Sequence, residues 1–144
     1  MQTILLDNTA IDIPSYLEWR DDDGTLVAYP PNTDYANLRF SLTSIRDKAG
    51  DYVPEAGVST IARRCQEASA VLESKIEKVW YCEEQGSTDG SPGSVIHYWY
   101  VGMDAHFLVI SCFIDGAQLN NANAIKVLAS VPATIDSFRK VHDA

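Results

Sequence analysis

Four side chains in this sequence have the chemistry of metal ligands: His97, His106, Cys82 and Cys112. Imidazole nitrogens and thiolates are preferred ligands of Zn²⁺. A two-residue hairpin turn at Gly102-Met103 would place both histidines and Cys112 on one face of a sheet. However, the chain contains neither a C-x-x-C nor an H-x-x-x-H pair, and zinc sites usually contain such a local pair. The spacing favours ordinary strand histidines and a buried thiol, and it predicts no bound metal or other cofactor.

Nucleophilic catalysis requires a cysteine or serine that a histidine activates, and an acid that orients the histidine. Cys112 and His106 lie on the same predicted strand, in the interior of the sheet. A buried thiol is protonated at neutral pH and unreactive. The sequence therefore predicts no catalytic residue, and we expect a protein without enzymatic activity.

Two polar segments share part of the pattern of a ligand-binding loop. Asp21-Asp22-Asp23-Gly24 is rich in carboxylates, but it lacks the alternating ligands and the closing glutamate of a calcium loop. Ser87–Ser94 has the glycines and serines of a phosphate loop, but it has no lysine and precedes a predicted strand rather than a helix. We interpret the first as a tight turn and the second as a hairpin loop.

Aromatic residues are concentrated on two neighbouring predicted strands. They are Trp80, Tyr81, Tyr98, Trp99 and Tyr100. This is more aromatic surface than one face of a small core can bury, so we expect most of these side chains in the core and the rest exposed. The exposed remainder would form a binding surface or line an apolar pocket.

The candidate partner-binding residues are acids at a turn and at a strand end, with one aromatic residue nearby. They are Trp19, Asp21, Asp22, Asp23, Glu83 and Glu84. Binding energy at interfaces is concentrated in aromatic anchors, so Trp19 is the candidate anchor. The alternative is that the turn is merely solvated and that Trp19 belongs to the core.

The charge balance restricts the class of partner. Acidic residues outnumber basic ones by 20 to 11, which gives a formal net charge of -9. This field repels phosphate, so we expect binding neither to nucleic acid nor to an anionic membrane. It attracts a basic protein, although acidity also serves simply to keep a protein in solution.

A β-hairpin is expected at the centre of the fold. Val95–Val101 and Ala105–Ile114 are dense in β-branched and aromatic residues, with Gly102-Met103 predicted at the turn. In this register Trp99 faces His106. Both strands are apolar on both faces, so we expect a covering layer on each side of the hairpin.

Four shorter strands are predicted before the hairpin, and a fifth directly before it. They are Gln2–Leu6, Ala10–Ile13, Thr25–Tyr29 and Asn37–Ile45, followed by Ile76–Glu84. Strands joined as hairpins, with helices grouped rather than alternating, predict an α+β fold with an antiparallel β-sheet and two helical segments packed on it. No linker or repeat divides residues 1–144, so a single domain is expected.

The two helical segments are predicted from apolar residues at spacings of three and four. In Glu55–Ser74 the apolar stripe is Val58, Ile61, Cys65, Ala68 and Leu72. In Ala117–Val141 the stripe is Ile125, Leu128, Val131, Ile135 and Phe138. Asn120 or Asn121 is expected to cap the second segment, and Pro132 to kink it or to begin a separate helix.

The amino terminus lacks the basic region and apolar core of a signal peptide, and no apolar run reaches transmembrane length. The three cysteines, Cys65, Cys82 and Cys112, are odd in number and have no disulfide pattern. A cytoplasmic location with reduced thiols is therefore expected.

The order of elements resembles the PsbP-like fold. The resemblance also includes Ile11-Asp12-Ile13-Pro14 with Trp19 soon after, and the closing segment Val127–Val131. That group contains a photosystem subunit, a Ran-binding nuclear import factor and bacterial proteins linked to type VI secretion. The resemblance implies a PsbP-like arrangement but assigns no functional residue.

Two classes of function follow from these observations. The first is a non-catalytic protein-binding module, specifically a bacterial immunity protein or a chaperone for a basic secreted effector or toxin. The second is a protein that binds a small or lipid-like molecule between sheet and helix, or an enzyme acting there. The sequence leaves the oligomeric state open.

Overall fold

The computed structural model describes residues 1–64, 70–71, 78–85 and 93–141. These residues form a mixed α+β fold. The strands are β1 (Gln2–Leu6), β2 (Thr9–Ile13), β3 (Glu18–Asp22), β4 (Thr25–Tyr29), β5 (Ala36–Ser44), β6 (Ala70–Val71), β7 (Lys78–Gln85), β8 (Val95–Met103), β9 (His106–Ile114) and β10 (Arg139–Lys140). The helices are α1 (Ala56–Arg64), α2 (Ala122–Ala129) and α3 (Val131–Asp136), with a 3-10 turn at Gly116–Gln118. None of these described helices is long and apolar enough to cross a membrane.

Two antiparallel sheets organise the chain. The larger has seven strands in the order β3-β4-β5-β9-β8-β7-β6, and the smaller has three in the order β1-β2-β10. Strand β9 is the middle strand of the larger sheet, and it pairs with β5 and β8 over nearly its whole length. The predicted antiparallel sheet with a central hairpin is therefore confirmed.

The turn of the central hairpin lies two residues later than predicted. Met103 pairs with His106, which leaves Asp104-Ala105 as the turn. Trp99 consequently faces Ile110 rather than His106. Asp104 has a φ of 52°, and aspartate tolerates this left-handed conformation better than most residues with a side chain.

Gly102, which was predicted at the turn, has a different role. A Cβ at Gly102 would lie 2.9 Å from Cα of Val58, and a Cβ at Gly57 would lie 2.1 Å from the carbonyl oxygen of His106. The two glycines allow the backbone of α1 to lie directly against the hairpin, and the Gly57 amide donates a hydrogen bond of 2.9 Å to Asp104 O.

The two faces of the larger sheet are covered differently. The inner face carries the core side chains of β5, β8 and β9, and it packs against α2 and the smaller sheet. The outer face is the opposite one. Helix α1 covers its Gly102–Phe107 end, whereas Ile96, Tyr98 and Phe113 at the other end are only partly buried. We expected a covering layer on each side of the hairpin. In the described part of the chain this is wrong for the outer face, which is covered at one end only.

Strand β3 was not predicted. All five of its residues are exposed, so it lacks the apolar alternation that marks a half-buried strand. Its charged residues were interpreted as a turn, but the turn is Asp23-Gly24 alone, with φ of 53° and 88°. Asp21 and Asp22 belong to the strand and pair with β4.

The first predicted helix is confirmed over Ala56–Arg64, and it contacts β8 and β9. It does not extend to Ser74, because Ala70–Val71 pairs with β7 as a short strand. Cys65 and Leu72, which were expected on its buried stripe, lie outside the described residues.

The second predicted segment forms two helices. Asn121 caps α2 through its side chain, and Pro132 lies in the first turn of α3, as predicted. The predicted apolar stripe is wrong at Ile125, which is 53% exposed, because α2 buries Ala124 and Val127 instead. The last strand, β10, then pairs with β2.

Candidate functional site

A groove of about 420 Å³ separates β1 from the β3–β4 hairpin. We call it the edge groove. Its lining residues are Thr3, Ile4, Leu5, Leu6, Trp19, Asp21, Gly24 and Leu26. Strand β1 pairs only with β2, and β3 pairs only with β4, so each is the edge of its own sheet in the described residues. The groove therefore lies between two strand edges, which carry backbone N–H and C=O groups free for pairing.

The side chains of the edge groove combine a buried apolar floor with exposed apolar walls. Ile4 and Leu26 are 4% and 5% exposed, whereas Leu5 and Trp19 are 68% and 47% exposed. Trp19 is therefore not a core residue, and the alternative that placed it there is wrong. A half-exposed tryptophan beside an exposed leucine is typical of a surface that binds another molecule.

The acidic run next to Trp19 is divided by the alternation of the strand. Asp21 lies on the same sheet face as Trp19 and lines the edge groove, whereas Asp22 points to the opposite face. Asp21 also fixes the turn, because its Oδ1 accepts a hydrogen bond of 2.9 Å from the Gly24 amide. No cation of the described residues forms an ion pair with Asp21, Asp22 or Asp23. Their charges are available to a ligand in the groove.

The structure does not bring Glu83 and Glu84 to this groove. They lie on β7, five strands away from β3 in the larger sheet. At about 4.8 Å per strand, this is a separation of roughly 24 Å. Glu83 accepts a hydrogen bond from Tyr81, and its Oε2 lies 3.9 Å from Nδ1 of His97. The six predicted partner-binding residues therefore form two separate groups.

The four side chains that were considered as metal ligands are also dispersed. His97, His106 and Cys112 do share the inner face, and Cys82 lies on the outer face. His97 is directly opposite Cys112, but six residues of β9 separate Cys112 from His106, which is about 20 Å. Burial raises the pKa of Cys112 to about 12, so its thiol is unreactive. In the described part of the chain no three potential ligands form a metal-binding group.

A serine–histidine pair that was not predicted from the sequence lies at the end of the inner face. The Oγ of Ser44 is 2.7 Å from Nδ1 of His106. Burial raises the pKa of the Asp7 carboxyl. This effect is outweighed by hydrogen bonds to Ser44 and Tyr52 and by the charge of Arg46, so the pKa of Asp7 lies below its usual value. Since Asp7, Ser44 and His106 are at least 37 positions apart along the chain, no local motif signals this group.

This group does not have the geometry of a catalytic triad. In a triad the acid orients the histidine, and the histidine nitrogen faces a substrate. Here the acid bonds to Ser44 and not to His106, and His106 is 1% exposed. Burial lowers the pKa of His106, which favours the neutral imidazole. The group stabilises the junction of the β1–β2 turn with β5 and β9.

The aromatic cluster is divided between the two sheet faces. Trp99 is 4% exposed on the inner face and packs against Tyr81 and His97. Tyr98 and Tyr100 lie on the outer face with ring centroids 6.1 Å apart. The side chain of Trp80, and all of Ser87–Ser94 except Gly93 and Ser94, lie outside the described residues.

Comparison with known proteins gives a structural relative only. No family model matches the chain, and no curated protein matches it significantly. A crystal structure of a protein from Bacteroides thetaiotaomicron VPI-5482 at 1.50 Å resolution superposes with a TM-score of 0.67 and 13% sequence identity. The match covers 94% of this chain and 46% of that one, so this chain spans about half the length of its structural relative. At this identity the likeness shows the fold alone.

Proposed function

We propose that the protein is a non-catalytic protein-binding module that holds an extended segment of a basic partner protein in the edge groove. The observation that carries this proposal is Trp19, which is 47% exposed between two strand edges. Exposing so large an apolar side chain to water is unfavourable, and a partner that covers it gains binding energy.

The edges of the groove favour an extended occupant. A peptide strand binds to a sheet edge through its main chain and places alternate side chains on opposite sides. The Ile4 and Leu26 floor suits apolar side chains that point inward. We therefore propose a partner segment in which apolar residues alternate with lysine or arginine.

The charge distribution favours a basic partner. Asp21 lines the groove, Asp22 and Asp23 adjoin it, and the whole chain has a formal net charge of -9. A negative field accelerates the encounter with a positive partner, and added salt weakens this effect.

A PsbP-like arrangement and a cytoplasmic location are part of the proposal. The order of elements, Ile11–Pro14 followed by Trp19, and the closing helix support the first, and the reduced cysteine pattern supports the second. In that setting the partner is a basic secreted effector or toxin, and the protein acts as its immunity protein or its chaperone.

The first test asks whether Trp19 determines which protein is retained. Immobilised wild-type protein, Trp19→Ser and the control Ile125→Ser are incubated with lysate of the native host, and retained proteins are identified by mass spectrometry. Ile125 is a suitable control because it is an exposed apolar residue on α2. We expect a basic protein that wild type and Ile125→Ser retain and Trp19→Ser loses. An identical set of proteins on all three would contradict the proposal.

The second test uses that protein once purified. Replacing Asp21, Asp22 and Asp23 with Asn keeps the turn chemistry and removes three charges. Association with the partner is then expected to be slower than in wild type at low salt and less sensitive to added salt, with unchanged folding stability. Equal association rates for the two proteins at low and high salt would show that these acids do not steer the partner.

A further inference from the structure

A second groove lies on the outer face of the larger sheet, opposite to the face that carries Trp19, and its volume is about 330 Å³. We call it the outer-face groove. Its lining residues are Asn37, Arg39, Ile96, Tyr98, Ser111 and Phe113. They belong to three adjacent strands, β5, β9 and β8. The volume lies at the lower end of the range of about 300–1,000 Å³ that is usual for small-ligand sites.

The strand register divides the groove into a polar row and an apolar row. Arg39, Ser111 and Tyr98 lie side by side across the three strands. Two residues further along, the second row consists of Asn37, Phe113 and Ile96, and its apolar part is the Phe113–Ile96 pair. Both are partly buried, and no described helix covers them because α1 lies at the Gly102 end of this face.

Arg39 is the one cation among the described residues that line this groove. Its side chain is exposed, and none of the described carboxylates forms an ion pair with it. The nearby Arg20 lies over the ring of Tyr29, 5.3 Å from its centroid, and lines a neighbouring polar groove that Asn37 and Arg39 also line. A guanidinium beside the Ser111 hydroxyl is well suited to bind a carboxylate through charge-assisted hydrogen bonds.

The opposite side of the outer face carries a negative charge. Glu84 lies on β7 opposite Ile96 and forms a hydrogen bond with Tyr98. It is three strands from Arg39, or roughly 14 Å at the usual strand spacing. Together with the acidic charge of the whole chain, Glu84 disfavours a ligand with a second anionic group at its far end.

From this arrangement we infer that the outer-face groove binds a small amphiphile with one carboxylate and an unbranched apolar chain. The carboxylate binds Arg39, and the chain covers Phe113 and Ile96. This ligand class follows from one cation, an apolar row and a repelling carboxylate beyond it. The site is separate from the edge groove, so the inference does not depend on the proposed function.

Binding is tested by calorimetric titration with sodium decanoate below its micelle concentration. Two matched probes are decyltrimethylammonium, with the opposite charge, and decanedioate, with a second carboxylate at the far end. We expect saturable binding of decanoate and affinities at least about tenfold lower for the other two. No saturable binding of decanoate, or equal affinity for all three probes, would overturn the inference. The inference would also be overturned if the peptide Ac-Leu-Val-Phe, which has a free carboxylate, bound more tightly than decanoate. That result would assign the groove to the end of a peptide.

Three variants locate the site. Arg39→Gln keeps a polar side chain and is expected to weaken decanoate binding about tenfold or more. The control Lys48→Gln removes the same charge from an exposed turn outside the groove, and Trp19→Ser alters the edge groove; both should retain wild-type affinity. Amide NMR shifts should move at Ile96, Ser111 and Phe113 in wild type. Wild-type affinity in Arg39→Gln, or shifts confined to the edge groove, would contradict the assignment.

Discussion

The two faces of the central hairpin are similar in sequence and different in structure. On the inner face Val101, Leu108 and Ile110 are each 0% exposed and pack into the main core. On the outer face Ile96 and Phe113 are equally apolar in type but only partly buried. Apolar residues on both faces of a strand therefore indicate that each face contacts apolar groups, either in the core or in a ligand. They do not show that both are covered by the same chain.

This difference separates a folding role from a binding role. The inner face stabilises the fold, since each large side chain buried there contributes about 1.5–3 kcal/mol. The end of the outer face that no described helix covers contributes less to stability, and its partly buried apolar surface remains for a ligand. Substitutions on the inner face should therefore affect folding, and those on the uncovered outer face should affect binding.

The largest effect is expected for a charge placed on the inner face. Ile110→Asp puts an unpaired carboxylate at a fully buried site, and should lower the free energy of unfolding by more than about 4 kcal/mol or prevent folding. Ser111→Asp places the same carboxylate one residue away on the outer face and should change stability by less than about 1 kcal/mol. Urea unfolding followed by circular dichroism measures both. Equal losses in the two variants would abolish the distinction between the faces.

An intermediate effect is expected where α1 covers the outer face. A Cβ at Gly57 would lie 2.1 Å from the His106 carbonyl oxygen, so Gly57→Ala must displace α1 from the hairpin. The loss should be at least about 2 kcal/mol, although alanine is the better helix former by up to about 1 kcal/mol. Ser59→Ala, at an exposed position of the same helix, is the control and should be neutral or stabilising. A stable Gly57→Ala protein would show that this end of the outer face is as open as the other.

The fold was predictable where local patterns and packing agree. The alternation in Asn37–Ile45, observed as β5, and the dense β-branched runs of β8 and β9 predicted the sheet and its centre correctly. The hairpin register was wrong because Gly102 was taken as a turn residue. Its actual role, the approach of α1, depends on a contact with Val58 that is distant in sequence.

The candidate sites were predictable only in part. Trp19 and Asp21 were grouped from the sequence because they are close along the chain, and the structure places both on one face of β3. The contribution of β1 to the edge groove depends on how two sheet edges meet, which no local pattern records. The same holds for Arg39, whose neighbours Ser111 and Tyr98 are brought together by strand pairing alone.

The smallest effect is a pH dependence that originates on the inner face. Burial lowers the pKa of both His97 and His106, and nearby carboxylates only partly oppose this. The unfolded chain therefore takes up protons near pH 6.5, whereas the folded chain does so only at lower pH. Stability should be constant above about pH 7 and should fall as the pH decreases below about 6.5. Asp7, Asp12 and Asp104, whose pKa values are lowered, act in a separate window, because the stability that they provide is lost only below about pH 3.8.

Denaturant unfolding at a series of pH values between 7.5 and 5 isolates the histidine contribution. The double variant His97→Gln with His106→Gln will be less stable throughout, since both residues are partners in inner-face contacts. The informative quantity is therefore the slope of stability against pH, which should be close to zero in the variant and positive in the wild type. An unchanged slope in the double variant would show that protons are taken up elsewhere on unfolding. The inner face would then owe its stability to apolar burial alone, without a contribution from neutral buried imidazoles.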